Sequence, residues 1–313
     1  MATKRETRHA YGEALLRAGE LYRQITVLDA DLYKSTRSDL FRDRFGERFL
    51  DIGISEMDMV STAAGLAATG MIPYANSFAM FITAHCYDQI RIQICYPNLH
   101  VILAGSSAGL TQGPDGASHQ ALEDIALMRA LPNMRVLVPA DGVETEAMTL
   151  AAAQEIDGPI YLRLGRYPVP DLFDSSYRYE LGRAPWLAQG HDVTLIACGH
   201  MVSAALDARA LLAERGISAG VVNMSTIKPL DEGAVAAAMQ AAPLVVTIEE
   251  HSILGGLGGA VAEVMAEAGG GARLLRLGTR DRFGESATAD ELLEKHGLTP
   301  PGIAASVAQA LGR

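Results

Sequence analysis

Short apolar runs recur along this chain, alternating with longer stretches in which apolar side chains fall three and four residues apart. This alternation constrains the fold more than any other feature. It predicts buried parallel strands covered by helices on both faces, an α/β architecture with ligands at the carboxyl ends of the strands. Ala10, Ala14, Leu15, Ala18 and Leu21 place a helix over Thr7–Tyr22, and Gln24–Leu28 reads as the buried strand that follows, running into Asp29, Ala30 and Asp31. A short helix after Ser38, a strand at Phe49–Ile52, a helix capped by Ser55, a strand at Ile72–Asn76 and a long helix through Tyr87, Ile90 and Ile94 to Pro97 come next. Strands at His100–Ala104, Arg135–Val138 and Ile160–Leu164, with helices over Leu122–Leu131 and from Asp141, complete a first unit.

Between Gly165 and Gly190 the periodicity breaks around Pro168, Pro170 and Pro185, and the stretch reads as a linker. From His191 the alternation resumes: strands at Val193–Cys198, Ala219–Asn223, Leu244–Ile248 and Arg273–Leu277, and helices at Met201–Arg215, Asp231–Ala241 and Gly259–Ala268, with further helices at the end. The expected organisation is therefore two doubly wound domains, residues 1–170 and 191–313, joined by a linker over 171–190. A length of 313 residues suits two domains of roughly 150 each.

The formal net charge of −11 argues against nucleic-acid or anionic-membrane partners, which are held by basic surfaces. Any anionic substrate must then be held by a few local arginines. Cys86, Cys95 and Cys198 are odd in number and form no C-x-x-C, so neither a disulfide frame nor a zinc ribbon is expected, and a reduced, cytoplasmic setting follows. The opening MATKRETRHAYGE is too charged for a signal peptide, and no apolar run approaches membrane-spanning length.

Chemistry concentrates in two segments. In the first, Glu56 stands in the first turn of a helix, at the edge of an apolar layer, and the following strand delivers Phe78 and Phe81 in a chain with only 7 phenylalanines. A helix-start carboxylate can simply answer the helix dipole, at about 0.3 to 1 kcal/mol. With two rings beside it, the same carboxylate suits a flat heteroaromatic bearing a protonatable nitrogen. The second segment, GSSAGLTQGPDGASHQ, is a glycine-rich loop too long for a turn, and Asp115 and His119 within it can bind a polyol and shuttle protons. The alternative there is an Asp-Gly turn followed by a capping histidine. GGLGG at Gly255–Gly259 lacks the G-x-G-x-x-G spacing and reads as a tight turn with close helix packing. Glu249, Glu250 and His251 alternate faces on a strand, which disfavours a shared metal.

Together, DADLYKS (Asp29–Ser35), GISEM through YANSFAMF (Gly53–Phe81) and DGASHQALEDIALMRALPNMRVLVPA (Asp115–Ala140) resemble the pyrimidine-binding domain of transketolase. NMSTIKPLD and EEHSILGGLGGAVAEV resemble its C-terminal domain, so the likeness covers nearly the whole chain. The resemblance implies a thiamine diphosphate enzyme in which Glu56 meets N1′ of the aminopyrimidine, Phe78 and Phe81 pack around that ring, and Asp31 lies near the thiazolium. It implies that Asp115 and His119 bind the donor's hydroxyls and that Arg8, Ser35 and Arg166 hold a sugar phosphate. The G-D-G motif through which the family binds diphosphate and Mg2+ does not occur in this sequence. The chain thus resembles one subunit of a split transketolase, acting on sugar phosphates with a diphosphate-binding N-terminal partner in an α2β2 assembly. Ser107 stands where the family has a substrate-contacting histidine, Pro114 replaces an acid and Ser118 a threonine, which bears on the choice of donor. Two rivals are the β subunit of a thiamine-dependent 2-oxo acid dehydrogenase and a non-catalytic subunit of the same family. The DGASHQALEDIALMRALP loop favours transketolase over the first, and the joint presence of Glu56, Phe78, Phe81, Asp115 and His119 counts against the second.

Overall fold

Seven strands form the first sheet in a computed structural model that describes residues 4–313; Met1–Thr3, at the charged start of the chain, lie outside the described residues. Their order across the sheet is Thr226–Lys228, Arg135–Leu137, Ile160–Arg163, Ile102–Ser106, Ile72–Phe78, Ile25–Asp29 and Phe49–Asp51. All pairings are parallel except that of Thr226–Lys228. A parallel sheet needs cover on both faces, and the four strands from Ile160–Arg163 to Ile25–Asp29 are buried at every residue. Helices Thr7–Leu21 and Gly142–Gln154 cover one face, packing Tyr11, Leu15 and Met148 with Val27, Ile102 and Leu162. Helices Glu56–Ala68 and Asp124–Ala130 cover the other, where Met59, Ala63 and Ile125 join Leu28, Ala75 and Leu103.

The second sheet has the order Arg273–Thr279, Leu244–Ser252, Val193–Ala197, Ala219–Asn223 and Trp186–Ala188. Its outer face packs helices Met201–Glu214 and Pro300–Leu311 through Val202, Ala205, Leu212, Ile303 and Val307. On the inner face, Ile196, Val222, Val245 and Val261 belong to the same apolar core as Met128, Val136 and Leu103 of the first domain. The two α/β units share a core.

Several elements depart from the sequence expectation. The strand from Ile72 runs on to Phe78, and the helix after it begins at Ala79 with wide π turns at Phe81–His85 and Ile90–Cys95. Ile82, Cys86, Ile90 and Ile94 are all fully buried. In a regular α-helix residues four apart drift by about 40° per step, so widened turns keep this row on the core face. Ser55 makes no side-chain cap: its φ of −153° and ψ of 68° lie outside the usual capping geometry, and its backbone oxygen accepts from Met59 at 3.0 Å. The stretch read as a linker supplies two pieces of sheet. Val169–Pro170 pairs with Lys4–Arg5, and Trp186–Ala188 forms the antiparallel edge of the second sheet. Thr226–Lys228, from the second half of the chain, pairs antiparallel with Arg135–Leu137 and closes an edge of the first sheet. Such pairings are tertiary and leave no local pattern.

A buried ionic cluster joins the halves. Arg163 donates to Asp124 Oδ2 from Nε at 2.6 Å and to Oδ1 from Nη2 at 3.2 Å, and the same Nη2 reaches the backbone oxygens of Ala121 and Glu250. Tyr161 Oη also donates to Asp124 at 2.6 Å. Burial opposes the charged form of Asp124, yet Arg163 and His251 hold its carboxyl below the ordinary range. Removing one partner of a buried pair leaves an uncompensated charge, which costs about 3–5 kcal/mol. Arg163→Met should therefore lower stability by about that amount, and Arg163→Met combined with Asp124→Leu should recover much of it; urea unfolding of the three chains checks both.

Candidate functional site

The carboxyl ends of the central strands of the first sheet bring the candidate residues into one region. Strand Phe49–Asp51 ends in a turn at Gly53, whose φ of 76° needs glycine, and the next helix starts at Glu56. Glu56 is only 6% exposed, and Ser77 Oγ, one residue before the end of its strand, donates to its Oε1 at 3.3 Å. Phe78 follows, and Phe81 sits on the first wide helical turn, their ring centroids 6.1 Å apart. The glycine-rich loop returns His119 to these rings, edge-on to Phe78 at 6.0 Å and to Phe81 at 5.2 Å. Ser118 Oγ lies 3.0 Å from His119 Nδ1. Chemically this is a cluster of three rings, with one buried acid hydrogen-bonded to the residue that precedes Phe78.

Asp115 is separate from His119. It accepts from Gln112 Nε2 at 2.7 Å and pairs with Arg166 Nη1 at 3.4 Å, and no hydrogen bond links it to the imidazole. Arg8 Nη1 donates to the Ser35 backbone oxygen at 3.0 Å, and Arg8 N donates to Gly165 O at 3.3 Å, which ties this arginine to the segment carrying Arg166. Ser107 is fully buried with φ of 57°, its hydroxyl 3.4 Å from that of Ser106. Asp31 is exposed, with φ of 59°; Asp51 Oδ1 accepts from both Asp31 N and Gly53 N, so one carboxylate fixes both turns.

Residues to which the sequence reading gave no such role hold these groups in place. Asp29, fully buried, accepts from Leu32 N, Thr36 Oγ1 and Ser38 Oγ at 2.6 to 2.9 Å and so shapes the loop that carries Asp31 and Ser35. Burial pushes its carboxyl up to about 6. Gln120 Nε2 reaches the backbone oxygens of Leu110, Gly113 and Glu285. Glu250 accepts from Thr111 N, and a side chain at Gly109, where φ is 84°, would collide with its carboxylate. Glu249 accepts from Leu257 N and Gly258 N at 2.7 Å, so the acid before the Gly255–Gly259 turn binds the start of the following helix. A hydrophilic residue in an otherwise apolar strand was the available signal for Glu249 and Glu250. Among the described residues no three His, Cys, Asp or Glu side chains converge as metal ligands.

Comparison with known proteins places the chain in a family. Residues 3–170 match the profile of the transketolase pyrimidine binding domain, and residues 182–303 match that of the transketolase C-terminal domain. The chain belongs to the transketolase family. Its enzymes depend on thiamine diphosphate. The chain is similar to a protein of Methanocaldococcus jannaschii provisionally named as a transketolase C-terminal section, 44% identical over 97% of this chain and 96% of that one. A 6-deoxy-6-sulfo-D-fructose transketolase subunit of Clostridium sp. is 39% identical over 95% of this chain and 91% of its own length. Among solved structures, a split-gene transketolase described as an inactive β4 tetramer has a TM-score of 0.91 at 47% identity, over 98% of both chains. Against the 1-deoxy-D-xylulose-5-phosphate synthase of Thermosynechococcus vestitus, 36% identical, this chain spans 48% of the longer protein.

In this transketolase-family chain the loop bearing Asp115 and His119 is moored on Glu250. Burial raises the Glu250 carboxyl to about 7, against the pull of Arg163 and Thr111. His200 Nδ1 lies 3.2 Å from Glu250 Oε2, but burial and Arg163 lower the imidazole to about 3, so this contact is no ion pair. A carboxyl whose folded value is raised binds its proton more tightly when folded, so its ionisation costs stability as pH climbs from the ordinary 4.5 through about 7. Glu250→Gln keeps an acceptor for Thr111 N without that cost. Its stability relative to wild type should increase between pH 5 and pH 8, by on the order of 2–3 kcal/mol, measured by urea unfolding across that range.

Proposed function

We propose that this chain is one subunit of a two-chain, thiamine diphosphate-dependent transketolase that moves a two-carbon ketol unit from a ketose to an aldose. The observation that carries the reading is Glu56, a carboxylate 6% exposed at the start of a helix and braced by Ser77, next to the strand end that carries Phe78. The donor set fits the pyrimidine end of thiamine diphosphate: one buried acid for a ring nitrogen and the Phe78, Phe81 and His119 rings for a flat face. It does not provide for the other end of the cofactor. The sequence holds no G-D-G, and we assign the diphosphate and Mg2+ contacts to a separate N-terminal subunit in an α2β2 assembly. The similar split-gene structure, described as an inactive β4 tetramer, supports a chain of this kind needing a partner.

When bound, the cofactor supplies the carbanion chemistry that breaks and makes the carbon–carbon bond. The work of this chain is to hold and move protons and to place the sugar. Glu56 holds a proton against N1′ of the aminopyrimidine, and the apolar surroundings keep water from competing for it. His119, packed edge-on to both phenylalanines, presents its free ring edge to the donor's hydroxyls, and Asp115, held by Gln112 and Arg166, accepts from them. Asp31, on its left-handed turn, lies at the thiazolium side. Arg8 and Arg166, tied together through Gly165, take the anionic far end of the sugar with Ser35, and Ser107 stands where the family has a substrate-contacting histidine. The Clostridium relative is named for a sulfosugar, which also carries an anion at its far end. Buried, unpaired Cys86, Cys95 and Cys198 suit a reduced cytoplasmic setting.

Combining the chain with its N-terminal partner, thiamine diphosphate and Mg2+ tests the reading. Ketol transfer from xylulose 5-phosphate to ribose 5-phosphate, or from a sulfosugar donor, should require both chains. Glu56→Gln should lower kcat by about two to four orders of magnitude while cofactor binding persists. Near-full activity of the variant would sink the assignment.

A further inference from the structure

The second domain carries a cleft of about 500 Å³ that contains none of the candidate cofactor- or substrate-binding residues described above. Its walls include Arg280, Arg282, Lys295 and His296, with Phe283 at the rim and Glu285 as the acid among them. The floor is Leu277 and Gly278, near the carboxyl end of strand Arg273–Thr279. In open α/β sheets that end of a strand is where ligands bind. The other three parallel strands of this sheet have theirs closed by the first domain: Gly199 N donates to Val138 O at 3.3 Å, Asn223 Nδ2 to the Glu144 carboxylate at 3.0 Å, and Ser252 N to Leu122 O at 2.7 Å. The edge strand Arg273–Thr279 keeps the open one.

Its charge runs against that of the molecule. In a chain of net charge −11, two guanidinium groups, an ammonium and an imidazole meet here. Among the described residues, the ion pair recorded inside the cleft is Lys295 with Glu285, and Arg280 and Arg282 have no carboxylate partner. The crowding registers on His296, whose imidazole is lowered by burial and by Lys295 and Arg282, with Glu285 opposing. Arg280, Arg282 and Lys295 are exposed and line the cleft with like charges, and a bound dianion offsets their mutual repulsion. A cleft of this volume falls within the roughly 300–1,000 Å³ usual for small-molecule sites.

We propose that this cleft binds the phosphate of a small phosphorylated metabolite, with Arg280 and Arg282 donating to its oxygens and Lys295 supplying a point charge. Glu285, which lines the cleft, and its neighbour Ser286 also touch the loop of Asp115 and His119. Gln120 Nε2 donates to Glu285 O at 2.9 Å, and Ser286 Oγ occupies the space beside Gly116. A ligand there would lie behind the outer side of that loop.

The test uses the full chain labelled with carbon-13 at histidine, its His296 signal assigned with His296→Gln and His191, outside the cleft, as internal reference. Glucose 6-phosphate, inorganic phosphate, and sodium chloride at matched ionic strength are titrated in turn. A phosphate compound should raise the titration midpoint of His296 by about one pH unit and leave His191 unmoved. Arg280→Ala with Arg282→Ala should weaken half-saturation at least about tenfold. Tighter binding of the ester assigns the site to a phosphorylated metabolite; equal binding of inorganic phosphate assigns it to free phosphate; either supports an anion site. An equal response to chloride, a response of His191 as large as that of His296, or unchanged affinity in the double variant overturns it. None of these readouts depends on catalysis.

Discussion

Arg163 is a charge buried where only a docked pair of domains can satisfy it. Transfer of a guanidinium into a protein interior costs several kcal/mol unless its donors are answered by well-placed acceptors. Those acceptors come from three places: Asp124 at the start of a first-domain helix, Ala121 just before it, and the Glu250 backbone on a second-domain strand. Asp124 is answered in turn by Tyr161, and His251 lies 3.9 Å away. Each charge is thus compensated from a different segment, which makes the cluster specific as well as tolerable. With the halves docked, the loop between Ser107 and Ala121 has fixed ends, since Gly109 N donates to Ala121 O and Thr111 N to Glu250.

The carboxylates of this chain show how surroundings divide one functional group among tasks. Asp29 and Glu249 accept only from backbone and hydroxyl donors within their own neighbourhoods and act as structural anchors. Asp124 is held ionised by an arginine. Glu250 is buried against a glycine and titrates close to neutrality. Glu56 differs from all of these in having little besides Ser77 to satisfy it and a set of aromatic rings nearby. A carboxylate so incompletely engaged is available to a ligand.

What could be read from the sequence follows from the range of the interactions involved. Helix and strand patterns depend on neighbours a few residues apart, and the alternation that marks a parallel α/β chain was visible throughout. Glu56, Phe78 and Phe81 lie within one consecutive helix, strand and helix, so their association was also accessible. Asp115 and His119 looked like a pair because they are four residues apart. Gly116, between them, has a φ of 77°, and the two side chains engage different partners: Asp115 meets Gln112 and Arg166, His119 meets Ser118. Trp186–Ala188 and Thr226–Lys228 became strands only because distant edges were there to receive them. Glu250 gave a weak signal, a polar residue in an apolar strand, whose meaning depends on what lies across the domain boundary.

The strand Thr226–Lys228 bears on how such a chain can be made. A ribosome releases the first sheet with its Arg135–Leu137 edge unpaired and with Arg163 lacking the Glu250 backbone that later receives it. Until the second half emerges, that sheet offers an open edge and an unanswered charge, the state in which nascent chains recruit chaperones or pair with one another. Completion of the first domain thus waits on residues synthesised long after its own, and the timing of translation becomes part of the folding problem.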